Sequence, residues 1–164
     1  MRHVIVAVMN GSKARFLTLE SSEIPELSHA CNLVEQDGLF NSEHELAGED
    51  LWSTSKTGRN RGSNGQAHSY DDHRQQHRVE YERRFVGTIA QRLQSLFQNH
   101  PAQQLILVAE PQFLGIVRET LLPLLPKGLD IIELAKDLCN LTPTELQAYL
   151  AQKELLPALQ RIML

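Results

Sequence analysis

Cysteine is scarce in this chain, with two among 164 residues, Cys31 and Cys139. Two thiols make no disulfide framework, so the sequence reads as a cytoplasmic chain with free thiols. Aromatic residues are few, at 5% with a single Trp. No run approaches the roughly 18 apolar residues of a transmembrane helix. The apolar start Val4-Ile5-Val6-Ala7-Val8 is too short for a signal peptide. No membrane partner is therefore expected. Sixteen Lys and Arg against 20 Asp and Glu leave a net charge of −4, a balance that speaks against a dedicated DNA-binding protein. The length suits one domain, 1–164, since domains run to about 100–150 residues.

Local absences are sharper than the global ones. Residues 20–50 hold nine acids and no Lys or Arg, whereas residues 53–70 hold Lys56, Arg59 and Arg61 and no acid. From Ser53 to Arg78 there is no Val, Leu, Ile, Phe or Met, and five of the nine glycines lie between Gly38 and Gly65. A stretch this poor in apolar groups cannot offset the entropy of ordering itself, so residues 38–69 are predicted to be a long, flexible basic loop. A loop of this length in a compact domain is either functional or simply unstructured.

The remaining chain is ordinary in composition and strongly patterned. His3–Met9, Ala14–Leu19 and Ala30–Val34 read as strands, the first two joined by a tight turn at Asn10-Gly11-Ser12. After the loop the period changes. Val86, Ile89, Ala90, Leu93, Leu96 and Phe97 repeat at helical spacing, predicting a helix from about Asp71 to Asn99, with Ser69 and Asp72 as its cap and Pro101 beyond its end. Leu105–Ala109 and Asp130–Leu134 read as buried strands, separated by a helix from Pro111 to about Leu122 that Pro123 stops. Thr142-Pro143-Thr144-Glu145 starts a last helical region, Leu146–Lys153 and Leu155–Met163. The order β-β-β-loop-α-β-α-β-α predicts an α/β domain with a mixed central sheet of about five strands flanked by helices, in a ribonuclease H-like arrangement. Val4–Val8, Leu105–Ala109 and Ile131–Leu134, apolar on both faces, are expected at the centre. No G-x-G-x-x-G opens a helix, which excludes a dinucleotide-binding reading.

The chemistry-bearing candidates are few. Ribonuclease H-like nucleases hold divalent metals with converging carboxylates, one of them on the first strand. Here that strand has no acid, Asn10 at its end is neutral, and Glu110 alone makes no site. His73, His77 and Glu80 stand at i, i+4 and i+7 and share a helix face, a spacing compatible with metal ligation. The commoner outcome of that spacing is a solvated face with charge pairs, so no metal or other cofactor is expected. Ser12 lacks a Gly-x-Ser-x-Gly surround, and Cys31 sits in an apolar strand where a thiol acts as a small hydrophobe. What remains is the basic loop, followed by a helix carrying Arg74, Arg78, Arg83, Arg84 and Arg92. Cations on a glycine-rich chain suit a phosphate backbone, and a solvated insertion is the plainer alternative.

Three blocks resemble the bacterial host attachment family, whose members are described as required for attachment to host cells. They are Val8-Met9-Asn10-Gly11-Ser12-Lys13-Ala14-Arg15-Phe16, Val108-Ala109-Glu110-Pro111-Gln112-Phe113-Leu114-Gly115 and Lys136-Asp137-Leu138-Cys139-Asn140-Leu141. Members commonly carry Asp where this chain has Asn10. That family is in turn similar to the middle domain of archaeal and eukaryotic class-1 peptide release factors and Pelota. In release factors a Gly-Gly-Gln loop precedes a long basic helix and orders the water that attacks peptidyl-tRNA. Asn64-Gly65-Gln66 stands in the corresponding place, with Asn64 where the first glycine would be. Asn is the next residue after Gly to tolerate a left-handed backbone. The resemblance implies a translation-associated factor that binds ribosome or RNA through Lys56, Arg59, Arg61, Arg74 and Arg78. It makes Gly65 and Gln66 the candidates for any peptidyl-tRNA hydrolysis. The other class of function is an interaction protein that acts indirectly in attachment, binds a protein partner and binds no RNA. Oligomeric state is open, a homodimer included.

Overall fold

The structure is a computed structural model that describes residues 3–21, 31–41 and 66–157, with residues 66–75 described by their backbone alone. The chain order is β1 (Val4–Met9), β2 (Lys13–Ser21), β3 (Cys31–Glu35), β4 (Leu39–Phe40), α1 (Gln66–Asn99), β5 (Gln104–Ala109), α2 (Pro111–Thr120), a 3-10 turn (Leu122–Leu124), β6 (Asp130–Ala135) and α3 (Pro143–Gln152). The strands form one mixed sheet in the order β3-β2-β1-β5-β6, with β4 pairing the start of β2 beside β3. The β1–β2, β2–β3 and β2–β4 pairs are antiparallel, and β1–β5 and β5–β6 are parallel.

Strand alternation divides the core into two layers. Ile5, Ala7 and Met9 of β1 with Leu105, Leu107 and Ala109 of β5 face α1 and α2, where Phe85, Val86, Ile89, Leu93, Phe113 and Val117 cover them. Val4, Val6, Val8, Ile106 and Val108 point the other way, onto Leu146, Leu150 and Leu156 around α3. β1 is apolar at every position, and β5 at every position after Gln104, because both of their faces are covered.

Several expectations change. The sheet has six strands instead of about five, because Leu39–Phe40 forms β4 inside the stretch read as loop. The strand read as Ile131–Leu134 is not central: β6 is an edge, and Ile131, Ile132 and Leu134 are only half-buried. Its apolar pattern reports helical cover on both faces, Ile131 packing in the α1–α2 layer and Ile132 and Leu134 in the α3 layer. Cover on two faces does not require a neighbour on two edges. Helix α1 starts at Gln66 and not near Asp71, so Ser69 and Asp72 lie within it and do not cap it. Helix α2 ends at Thr120, and Pro123 sits inside the 3-10 turn. The Thr142 reading holds: its hydroxyl accepts from Glu145 N at 3.2 Å, and the Glu145 carboxylate accepts from Thr142 N at 3.2 Å. Within Leu155–Met163, residues 158–164 lie outside the described residues.

Candidate functional site

The three sequence blocks lie far apart in the chain and meet at one end of the sheet, outside the carboxyl ends of β1, β5 and β6. The β1–β2 turn carries Asn10. Its Oδ1 accepts from Ser12 N at 2.8 Å and Lys13 N at 2.9 Å, while its Nδ2 lies 3.5 Å from both carboxylate oxygens of Asp137. Lys13 Nζ donates to Asn140 Oδ1 at 3.1 Å. Arg15 donates to the carbonyls of Cys139, at 3.0 Å, and Leu141, and pairs with Glu35 on β3. Three polar side chains of one hairpin, Asn10, Lys13 and Arg15, therefore hold the segment after β6. Asn10 fits this place because its amide donates toward Asp137, where an Asp would set two carboxylates against each other. Glu110 follows β5 and leads into α2, its backbone N–H donating to Met9 O at 3.2 Å and its side chain making no cap hydrogen bond.

Helix α1 closes the other side of the turn. Glu82 is buried, and a Cβ added at Gly11 would lie 2.5 Å from its Oε1. Among the described glycines only Gly128 has a positive φ, so glycine at position 11 answers close approach and not backbone angle. Asn41, also buried, donates from Nδ2 to Gly11 O at 3.0 Å, and its backbone N–H donates to Ser12 O at 2.8 Å. Cys139 sits behind Asp137. Burial, and then the Asp137 charge and hydrogen bond, push its thiol up to about 12, against the opposing pull of Lys13 and Arg15. Such a thiol is no nucleophile at neutral pH.

The predicted binding residues are placed unevenly. Lys56, Arg59, Arg61 and Gly65 lie outside the described residues. Gln66 is the first residue of α1 and Arg74 lies in its third turn, both described by backbone alone. Arg78 is half-exposed, with Nε 3.3 Å from Glu82 Oε1. Three further α1 arginines also have acidic neighbours: Arg84 with Glu80 at 3.4 Å, Arg83 with Glu119 at 3.9 Å and Arg92 with Asp37 at 3.6 Å. Of the metal candidates, His73 is described by backbone alone, His77 is exposed and stacks on Tyr81 with centroids 6.4 Å apart, and Glu80 faces Arg84. Among the described residues no group of three His, Cys, Asp or Glu is placed to hold a metal ion. Sequence reasoning missed Glu82 and Asn41. Glu82 sits in a charged helical run that gives no sign of burial, and only the glycine at position 11 hinted at a close neighbour.

The fold and this polar turn define the class: a single α/β domain with a mixed six-stranded sheet between helical layers. The chain belongs to the family described as "Protein required for attachment to host cells", whose model matches residues 5–150. No curated protein matches it. Among solved structures it is similar to the Aquifex aeolicus member of the Ppx/GppA protein family, with 13% identity and a TM-score of 0.40 over 92% of this chain and 39% of that one. The chain thus spans well under half the length of that relative. Among the described residues no helix is long and apolar enough to cross a membrane.

Proposed function

We propose that this host attachment family member is a binding protein, a translation-associated factor that grips the ribosome or another RNA through its Asn64-Gly65-Gln66 segment. One observation carries the reading. Helix α1, 34 residues long, begins at Gln66, inside the acid-free stretch 53–70. That helix is anchored in the core from Glu82 to Leu96, while none of the side chains from Gln76 to Tyr81 is buried. Between Gln66 and Glu82 it spans about 24 Å at 1.5 Å per residue, enough to hold its first residue, Gln66, well away from its anchor. In this reading Lys56, Arg59, Arg61, Arg74 and Arg78 meet phosphates, Gly65 and Gln66 take the place of the release-factor loop, and no cofactor takes part. The element order, a three-stranded antiparallel meander followed by β5-α2-β6, supports a ribonuclease H-like relationship to the release-factor middle domain.

A second reading is favoured by the acidic neighbours of Arg78, Arg83, Arg84 and Arg92, which leave the described part of α1 close to neutral. It is an interaction protein that acts in attachment through a protein partner. Ribosome co-sedimentation and RNA affinity measured across salt concentration separate the two. Arg59→Ala with Arg61→Ala weakens binding and lowers the salt slope by about one to two units, since each phosphate contact contributes about 0.7 on single strands and 0.9 on duplex. Gln66→Ala leaves affinity unchanged, because it removes no charge. An affinity insensitive to the double arginine change, or no binding at low salt, sinks the RNA reading in favour of the protein partner.

A further inference from the structure

Strand β3 ends the described sheet on the side opposite β6. On β3 the backbone groups pointing away from β2 include Leu33 N–H and Cys31 C=O, which a neighbouring strand would ordinarily take. They are taken by one side chain instead. Gln147 of α3, 1% exposed, accepts from Leu33 N through Oε1 at 2.9 Å and donates from Nε2 to Cys31 O at 2.7 Å. The same Nε2 lies 3.2 Å from Pro157 O, which ties the chain beyond α3 to the same point. A side-chain amide carries one acceptor and two donor hydrogens in the geometry of a peptide group, so Gln147 imitates one residue of an added strand. Leu146 and Leu150 on either side of it are fully buried in the α3 layer and fix its depth.

We infer that Gln147 is an edge guard: its amide occupies the strand-pairing positions of β3 and keeps that edge from adding a strand of a second copy of this chain. Edge strands are templates for pairing unless they are covered, charged or broken. Among the described residues the side chains of β3 itself add little to that cover, since its one charge is Glu35 at the far end and Val34 is 37% exposed. The strand is also self-compatible. Antiparallel pairing of two copies centred on Leu33 sets Leu33 opposite Leu33 in a hydrogen-bonded pair, with Glu35 opposite Cys31 and no like charges facing.

The test uses the full chain and Gln147→Met, which keeps length and volume and removes both hydrogen bonds. At a dilution where the variant is monomeric, hydrogen exchange at the Leu33 amide rises at least tenfold relative to the parent, and at higher concentration light scattering shows a species larger than the parent that grows with protein concentration. Adding Val34→Lys to the same chain restores the parent mass, because a lysine on an edge strand opposes strand addition. Unchanged Leu33 exchange in Gln147→Met overturns the guard. So does an unchanged mass across concentration, or self-association that Val34→Lys fails to suppress. Should Gln147→Met fold poorly, Gln147→Leu also removes both hydrogen bonds and is read by the same exchange and mass measurements with the same outcomes.

Discussion

At the scale of single residues, position 11 shows most clearly how the turn and α1 constrain each other. A methyl group there meets the buried Glu82 carboxylate at 2.5 Å, so Gly11→Ala must push that side chain aside. The expected cost is about 1–3 kcal/mol by denaturant unfolding, typical of overpacking. It falls sharply in a Glu82→Ala background, and a double-mutant cycle reads the difference. Additive costs would show that the two residues do not compete for space. Cys139 gives a second residue-scale expectation. Its thiol is raised to about 12, above the ordinary value of 9.0, so the folded state keeps a proton that the unfolded chain releases. Stability from this group is fully present below pH 9 and is lost as pH rises toward 12. Alkylation of the native protein at pH 9 is correspondingly slow, and Asp137→Asn speeds it by removing one of the groups that raise the thiol. Equal alkylation rates for the two chains would remove Asp137 from that account.

At the scale of elements, the ends of the helices carry the most specific signals. The α3 start is fully readable because capping is local: Thr142, Pro143 and Glu145 need only each other and the adjoining backbone. Its end is less obvious. Leu155 N donates to Leu150 O and Glu154 N to Ala151 O, each at 2.9 Å, a 6→1 and 5→2 pair that closes the helix and sets Glu154 at φ 61. A non-glycine residue there bears the strain of the left-handed region. Glu154→Gly is expected to stabilise the protein by about 1 kcal/mol, read as a raised melting temperature, whereas Glu154→Val lowers it. Apolar periodicity sets the start of α1 five residues late, because Gln66 to Arg78 contains no large aliphatic residue to carry it. The edge position of β6 was hidden for a related reason. Ile131, Ile132 and Leu134 are apolar toward both helical layers, and side chains say nothing about which backbone edges find a partner.

At the scale of the whole molecule, one sheet serves two cores. Ile89 on α1 packs in the α1–α2 layer and Leu146 on α3 in the opposite one, and both side chains are fully buried. Because β1 and β5 contribute alternate residues to each layer, neither layer survives without the other. Ile89→Ala and Leu146→Ala are each expected to cost about 2–5 kcal/mol while leaving a single unfolding transition that coincides by far-ultraviolet circular dichroism and tyrosine fluorescence. Two separated transitions in either variant would show that the layers are independent units.

The sequence by itself determined the class of fold, the position of nearly every described strand, the α3 cap, and the three blocks that mark the family. These rest on local physics: side-chain period, turn residues and capping need no distant partner. The basic stretch and the long helix after it were legible too, though not where that helix begins, since charge and missing aliphatics are matters of composition. Only the tertiary structure decided that the three blocks converge on one turn, with Asn10 facing Asp137 and Arg15 holding the carbonyls of Cys139 and Leu141. It alone brought buried Glu82 against Gly11 and gave the α1 arginines acidic neighbours as distant in sequence as Asp37 and Glu119. It also put the amide of Gln147 on the edge of β3, 114 residues from Leu33. Each of these is a contact between segments remote in the chain, set by the order in which strands pair and by which helix covers which face, and no local pattern of residues encodes that order.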